Sequence, residues 1–414
     1  MSFSAVERLN RHHKLSRLSD VVLLSSRSAE PHQKQLEGMI QKRVYKEFPE
    51  PSSEEEEILA GIAEKNLHFC GRTIKQHNNQ EFFTQINENV REKDVHLFHK
   101  FQDPNVDLVE LLVIGDNLKR AGVKSTTLYV PFLPYMRQDK KDDGRVPITA
   151  SGLFDWLSAS MSQRLKRIVT FDLHAQQEQG YFDGPLDELS AIPEFAAYYR
   201  EKLKDSFKGE EKQVIVFAAD AGGAKKAKKL ARLLDTQYQV FDKDRLAHGR
   251  AETKQLLGID LSGKKAIIVE DMIDSGGSLV GEYETGKNGP VQNLQELGAE
   301  VYICATHAIL SRKNNIPAEE RFRRAGVPVL LTDSIPERHE GYYQENKDWM
   351  NIFSLNYTLA KAFYCNQVGE SISAFLRNRE ERLKVKDMNF ILQNGEGGQA
   401  YKILGRIPPN LFVG

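Results

Sequence analysis

Short apolar, β-branched runs recur along the chain: Val21 to Leu24, Thr126 to Val130, Arg167 to Phe171, Val214 to Phe217, Ala266 to Val269 and Val301 to Ala305. Continuous apolar runs of this length predict strands covered on both faces, as in a parallel sheet. A further strand is expected at Tyr238 to Phe241. Between the runs lie segments with helical spacing, at Asp107 to Ala121, Ala224 to Leu234 and Val291 to Leu297. Gly122 and Gly298 follow two of them closely, where glycine ends a helix in a left-handed turn. This alternation predicts an α/β fold of mostly parallel sheets with helices on both faces.

A chain of 414 residues is too long for one ordinary core and implies two domains with extra segments. Three segments stand apart. Glu47 to Glu57 is acidic with two prolines and reads as a solvated loop entering a helix. Gly281 to Asn293 reads as an exposed loop or insertion. The tail from Asn378 opens with a charge run.

Charge adds little. The 57 Lys and Arg balance 58 Asp and Glu, so net charge says nothing about a nucleic-acid partner; the local cluster at Lys225 to Lys229 reads as a helix face, and no such partner is expected. No stretch is long and apolar enough to span a bilayer, and the opening MSFSAVERLNRHHKLSRLSD lacks the apolar core of a secretory signal. The three cysteines, Cys70, Cys304 and Cys365, are far apart and odd in number. They argue against a disulfide framework or a structural zinc site, and a cytoplasmic setting is expected.

Candidate chemistry clusters just beyond the strands. After Val269 come Glu270-Asp271-Met272-Ile273-Asp274-Ser275-Gly276-Gly277-Ser278. Small residues there let backbone N–H groups approach a phosphate, and Ser275 and Ser278 add hydroxyl donors. The two leading acids are placed to accept hydrogen bonds from sugar hydroxyls, or to face a metal. Beyond Val130, a loop fixed by Pro131 and Pro134 leads to Arg137, Lys140 and Lys141, a set able to meet a polyphosphate. Beyond Phe171, Asp172 and His174, with Asp183 and Asp187 soon after, are oxygen-rich and suit magnesium. Asp220 stands at an N-cap position before Gly222 and Gly223, which allow close backbone approach. Lys243 and Arg245 are two cations able to clamp charge on a transferring phosphoryl group.

Taken in order, these blocks resemble the ribose-phosphate pyrophosphokinases. The matching segments are NQE at Asn79 to Glu81, PYMRQDKKDD at Pro134 to Asp143 and DLHAQQEQGYFD at Asp172 to Asp183. DAGGAKK at Asp220 to Lys226, KDR at Lys243 to Arg245 and EDMIDSGGS at Glu270 to Ser278 complete the set. A plain phosphoribosyltransferase would share the last block alone.

The resemblance implies two phosphoribosyltransferase-like domains, an N-terminal one at 19–189 and a C-terminal one at 190–362. Flanking them would be an extension at 1–18, a helix at 363–377 packing back on the N-terminal domain, and a further extension at 378–414. It implies a homo-oligomer whose active site is completed by a neighbouring subunit. Asn79 and Glu81 would contact adenine from that neighbour. Arg137, Gln138, Asp142 and His174 would bind ATP. Asp172, His174, Asp183, Asp187 and Asp220 would match positions associated with magnesium. Lys243, Arg245 and His174 would be catalytic. Asp220, Glu270, Asp271, Asp274, Ser275, Gly276, Gly277 and Ser278 would hold ribose 5-phosphate.

The implied reaction passes the β,γ-diphosphoryl group of ATP to the 1-hydroxyl of ribose 5-phosphate. A regulatory relative without activity, or an enzyme with another 5-substituted ribose as acceptor, is the alternative. The chain departs from the family pattern at several positions. His77 replaces a stacking aromatic, Glu270 replaces the first Asp of its block, and Ser275 and Ser278 replace threonine. Asn89 replaces a serine linked with phosphate activation.

Overall fold

A computed structural model of the protein describes residues 5–208, 213–241, 260–282, 286, 288–374 and 377. The apolar runs become the centres of two parallel sheets, each in its own unit. One unit comprises the chain up to Leu189 and again from Leu355, and the other runs from Ser190 to Ser354.

In the first unit, α1 (Ala5–Leu18) leads into β1 (Val21–Ser25), α2 (Glu30–Lys46) and α3 (Ser53–Lys65). An antiparallel hairpin follows, β2 (Arg72–Gln76) and β3 (Phe82–Ile86). The chain then alternates through β4 (Asp94–Phe98), α4 (Pro104–Ala121), β5 (Ser125–Tyr129), α5 (Thr149–Met161), β6 (Leu165–Phe171) and β7 (Leu186–Leu189). The main sheet has the order β1-β4-β5-β6-β7, and every pairing in it is parallel. Its central residues Val21, Leu23, Leu97, Leu128, Ile168 and Val169 are buried, as strands covered on both faces require.

Helix ends follow local chemistry. Asp103 caps α4 by accepting hydrogen bonds from Asn105 and Val106 N–H at 2.9 and 3.0 Å. Gly122 closes it at φ 72°.

In the second unit, α6 (Ile192–Lys202) precedes β8 (Val214–Ala218), α7 (Ala224–Leu234) and β9 (Gln237–Val240). Next come β10 (Lys265–Ile273), α8 (Gly277–Val280), α9 (Pro290–Glu296), β11 (Glu300–Ala308), α10 (Ala318–Ala325), β12 (Val329–Thr332), α11 (Tyr342–Glu345) and β13 (Met350–Phe353). The sheet order is β13-β12-β11-β10-β8-β9, again wholly parallel. The chain returns to the first unit as α12 (Asn356–Val368), which Gly369 ends at φ 81°. That helix therefore starts before residue 363 and stops short of 377.

Two expectations change. The acidic segment is not simply solvated. Ser52 and Glu55 form a capping box at the start of α3, and Glu55 is buried against Arg11 of α1 at 2.7 Å. The N-terminal helix is thus tied into the first unit. On α12, the Gln367 side-chain oxygen accepts at 2.9 Å from Nε2 of buried His96 of β4, whose other ring nitrogen meets the Tyr129 hydroxyl, also at 2.9 Å. The segment from Gly281 gives way to α9 at Pro290, and Val291 is fully buried.

Candidate active site

In the second unit, strand order reverses between β8 and β10: β9 lies beyond β8, and β11 to β13 lie beyond β10. A crevice outside the strand ends at such a switch point is where open α/β sheets bind ligands. Two of the sequence blocks meet there. Asp220, just past β8, accepts hydrogen bonds from Gly222 and Gly223 N–H at 3.0 and 3.3 Å, so its capping role is real. Gly223 also has a packing reason. A Cβ there would stand 3.2 Å from Ala218 Cβ and 3.6 Å from Val269 O of the neighbouring strand.

Across the crevice, β10 runs further than expected. Glu270 to Ile273 are strand, paired with Ala305 to Ala308 of an equally long β11. The loop proper is Asp274, Ser275 and Gly276, followed at once by α8. The acids Glu270 and Asp271 are thus held by a β-ladder. Gly276 takes φ 76°, and a Cβ on it would lie 2.8 Å from the ring of Phe322. That ring is buried and stacked on Trp349, with centroids 5.1 Å apart. Asp274 accepts a hydrogen bond from the Ser311 hydroxyl. Gly277 and Ser278 open the short helix.

In the first unit, the segments after β5 and β6 are stitched together. Gln177 Nε2 donates to Asp139 Oδ2 at 2.5 Å, and the Tyr181 hydroxyl donates to the Asp139 carbonyl. Gln138 is held by α5: its carbonyl accepts from Ala150 N–H and its side chain from the Thr149 hydroxyl, both at 3.3 Å. Arg137 is exposed beside it, and exposed Asp142 pairs with Lys140 at 3.5 Å. Asp172 is buried, in the left-handed region at φ 36°, a conformation that costs about 1–3 kcal/mol and concentrates at working sites. His174 and Asp183 are exposed. Asn79 and Glu81 lie at the exposed tip between β2 and β3, where Glu81 N–H donates to Asn79 Oδ1 at 3.2 Å.

Not every predicted residue falls into place. Asp187 sits within β7 and holds Arg167 through both carboxylate oxygens at 2.7 and 2.8 Å. Among the described residues, no three His, Cys, Asp or Glu side chains converge to hold a metal ion. Lys243 and Arg245 lie outside the described residues.

Two residues of this region were missed in the sequence. Asp139 is the junction of two segments, hidden inside a run that reads as a charged surface. Glu178 is fully buried and accepts from Ala175 N–H at 3.1 Å. Burial pushes its carboxyl up to about 8, against the pull of that N–H and of His174. The acid three residues after Ala175 was its sequence signal, the spacing of a helix-start cap.

The second unit, with a phosphate-type loop at a switch point, is a phosphoribosyltransferase-class domain. Residues 185–286 match the model described as the phosphoribosyl transferase domain. Residues 22–160 match the N-terminal domain of ribose phosphate pyrophosphokinase. The ribose-phosphate pyrophosphokinase of Fusobacterium nucleatum is 37% identical over 311 residues, 74% of this chain and 90% of its own length. That of Caldanaerobacter subterraneus is 35% identical over 321 residues, 76% and 93% of the two chains. The crystal structure of phosphoribosylpyrophosphate synthetase from Mycobacterium smegmatis superposes with a TM-score of 0.63 at 28% identity, covering 87% of this chain and 99% of that one. The chain belongs to the ribose-phosphate pyrophosphokinase family of enzymes. No helix among the described residues is long and apolar enough to cross a membrane.

Proposed function

We propose that the chain transfers the β,γ-diphosphoryl group of ATP to ribose 5-phosphate, giving phosphoribosyl pyrophosphate and AMP. The reading is carried by the two loops that flank the β8–β10 switch point, Asp220 to Gly223 and Asp274 to Ser278, in a chain of this family. The second loop receives the 5-phosphate on its backbone N–H groups and the hydroxyls of Ser275 and Ser278. Glu270 and Asp271 accept from ribose hydroxyls, held in place by the strand.

ATP belongs to the first unit, with Arg137 and His174 at its phosphates, Gln138 and Asp142 beside them, and Asn79 and Glu81 of a second copy at the base. The 1-hydroxyl oxygen attacks the β-phosphorus in line. The bond from that phosphorus to the bridging α–β oxygen breaks, and AMP departs with the electron pair. The hydroxyl proton passes to solvent. Lys243 and Arg245 neutralise charge on the transferring group.

The oxygen-rich donor set of the site suits magnesium, although no three such side chains converge among the described residues. Asp172, Asp183, Asp220 and His174 would hold it, whereas Asp187 is engaged by Arg167. When bound, it offsets the negative charge of the polyphosphate.

ATP labelled at the β-phosphorus tests the transfer. The label is expected in phosphoribosyl pyrophosphate. Label found in ADP instead, with a singly phosphorylated acceptor product, would mark an ordinary kinase and refute the assignment.

A further inference from the structure

Asp274 stands where β10 becomes the candidate phosphate loop, and its carboxylate is fixed from outside that loop. Ser311, beyond β11, donates its hydroxyl to Asp274 Oδ1. The segment carrying Ser311 is itself built to stay put. Ile309 and Leu310 N–H both donate to the Ile273 carbonyl at 3.0 Å, so the ends of β10 and β11 are locked together one residue before Asp274.

Leu310 takes a left-handed φ of 52°, which a leucine adopts only under constraint. The constraint is visible. Arg338 reaches across and donates to the Ile309 carbonyl at 3.1 Å and to the Leu310 carbonyl. Arg338 is in turn held by Glu319 of α10 at 2.9 Å, and Glu319 also accepts from the Tyr342 hydroxyl. Glu319 is buried while Arg338 stays partly exposed, so the anchor is buried at its carboxylate end.

We infer that Ser311 and Arg338 are positioning residues for the acceptor sugar: Arg338 holds the strained turn at Leu310, and Ser311 fixes Asp274 in the rotamer that meets ribose. The inference rests on the proposed ribose 5-phosphate site. A carboxylate already fixed by one hydrogen bond loses less freedom when the sugar arrives, so the pin raises acceptor affinity without touching ATP. The device lies in a segment that the sequence blocks do not include.

The test is calorimetric and kinetic, on the full chain. Ribose 5-phosphate binding is measured with magnesium and α,β-methylene ATP, which binds without transferring, and KM is measured for both substrates. Ser311→Ala is expected to weaken ribose 5-phosphate binding and raise its KM about tenfold, the loss of one hydrogen bond to a charged group. KM for ATP should stay within about twofold, and Ser311→Thr, which keeps the hydroxyl, should restore most of the affinity. Arg338→Gln should shift the same parameter in the same direction.

Equal losses for both substrates, or failure of Ser311→Thr to restore binding, would indicate a merely structural role and overturn the inference. Wild-type binding of ribose 5-phosphate with unchanged affinity in Ser311→Ala overturns the inference alone. No ribose 5-phosphate binding by the wild type overturns the proposed site and the inference with it.

Discussion

Gln177 donates a hydrogen bond of 2.5 Å to Asp139, joining the segment after β6 to the segment after β5. Asp139 is buried, and its carbonyl accepts from Tyr181 as well. One residue thus sets the spacing between Arg137 and Gln138 on one side and the His174 segment on the other. That spacing is what a polyphosphate spanning both would read.

Asp139→Ala should therefore act on ATP. Removing a hydrogen-bonded buried carboxylate costs about 1–3 kcal/mol at the junction. KM for ATP is expected to rise about tenfold while KM for ribose 5-phosphate holds. Steady-state kinetics with each substrate varied in turn checks this; a change confined to ribose 5-phosphate would contradict it.

Gly276→Ala should damage the acceptor loop. The φ of 76° disfavours any side chain by about 1–2 kcal/mol, and the new methyl would press on Phe322, which has no room beside Trp349. A thermal melt should fall by several degrees, and ribose 5-phosphate binding should weaken more than ATP binding. A variant as stable and as tight-binding as the wild type would show that the loop tolerates a different path.

The strands with continuous apolar runs are legible in the sequence because burial on both faces removes polar alternation, as at Ile267 and Val169. The end of β10 is not, since the two acids after Val269 look like the end of a strand. The ladder to β11 overrode that local signal. The hairpin β2–β3 has exposed and half-buried positions only, and its apolar residues, Ile74, Phe82, Phe83 and Ile86, form no continuous buried run. At the candidate site, the loops beyond strand ends were legible from their glycines and charges. Asp139 and Ser311 were not, because each acts through a partner distant in sequence. The pairing of Asp187 with Arg167 was hidden for the same reason, the two lying on adjacent strands.

Acid should destabilise the first unit through two histidines. Burial depresses His96 to about 4 and His99 to about 3, against an ordinary value of 6.5. The unfolded chain takes up these protons first, so stability is retained above about pH 6.5 and lost as pH falls toward 4 and 3. By pH 5 each histidine contributes a loss of ~2 kcal/mol. Among the described residues both ring nitrogens of His99 lack a hydrogen-bond partner, and its ring meets Phe101 edge-on at 4.5 Å. His99→Phe should thus fold and flatten the fall. Urea midpoints at pH 7.5 and 5 measure it; an unchanged slope in the variant would contradict the assignment.

Lys243→Ala should separate binding from transfer. If Lys243 meets charge that develops only in the transition state, kcat falls by roughly a hundredfold or more while ATP affinity stays within a few-fold. Comparable losses in kcat and in ATP affinity would place Lys243 in ground-state binding instead.

The central claim is most directly tested by product stoichiometry. Purified protein with magnesium, ATP and ribose 5-phosphate is followed for AMP and phosphoribosyl pyrophosphate together. The two are expected to accumulate in equal amounts, with neither formed when ribose 5-phosphate is omitted. No AMP at high enzyme concentration, or AMP formed only with a different pentose phosphate, would contradict the assignment of ATP and ribose 5-phosphate as the substrate pair.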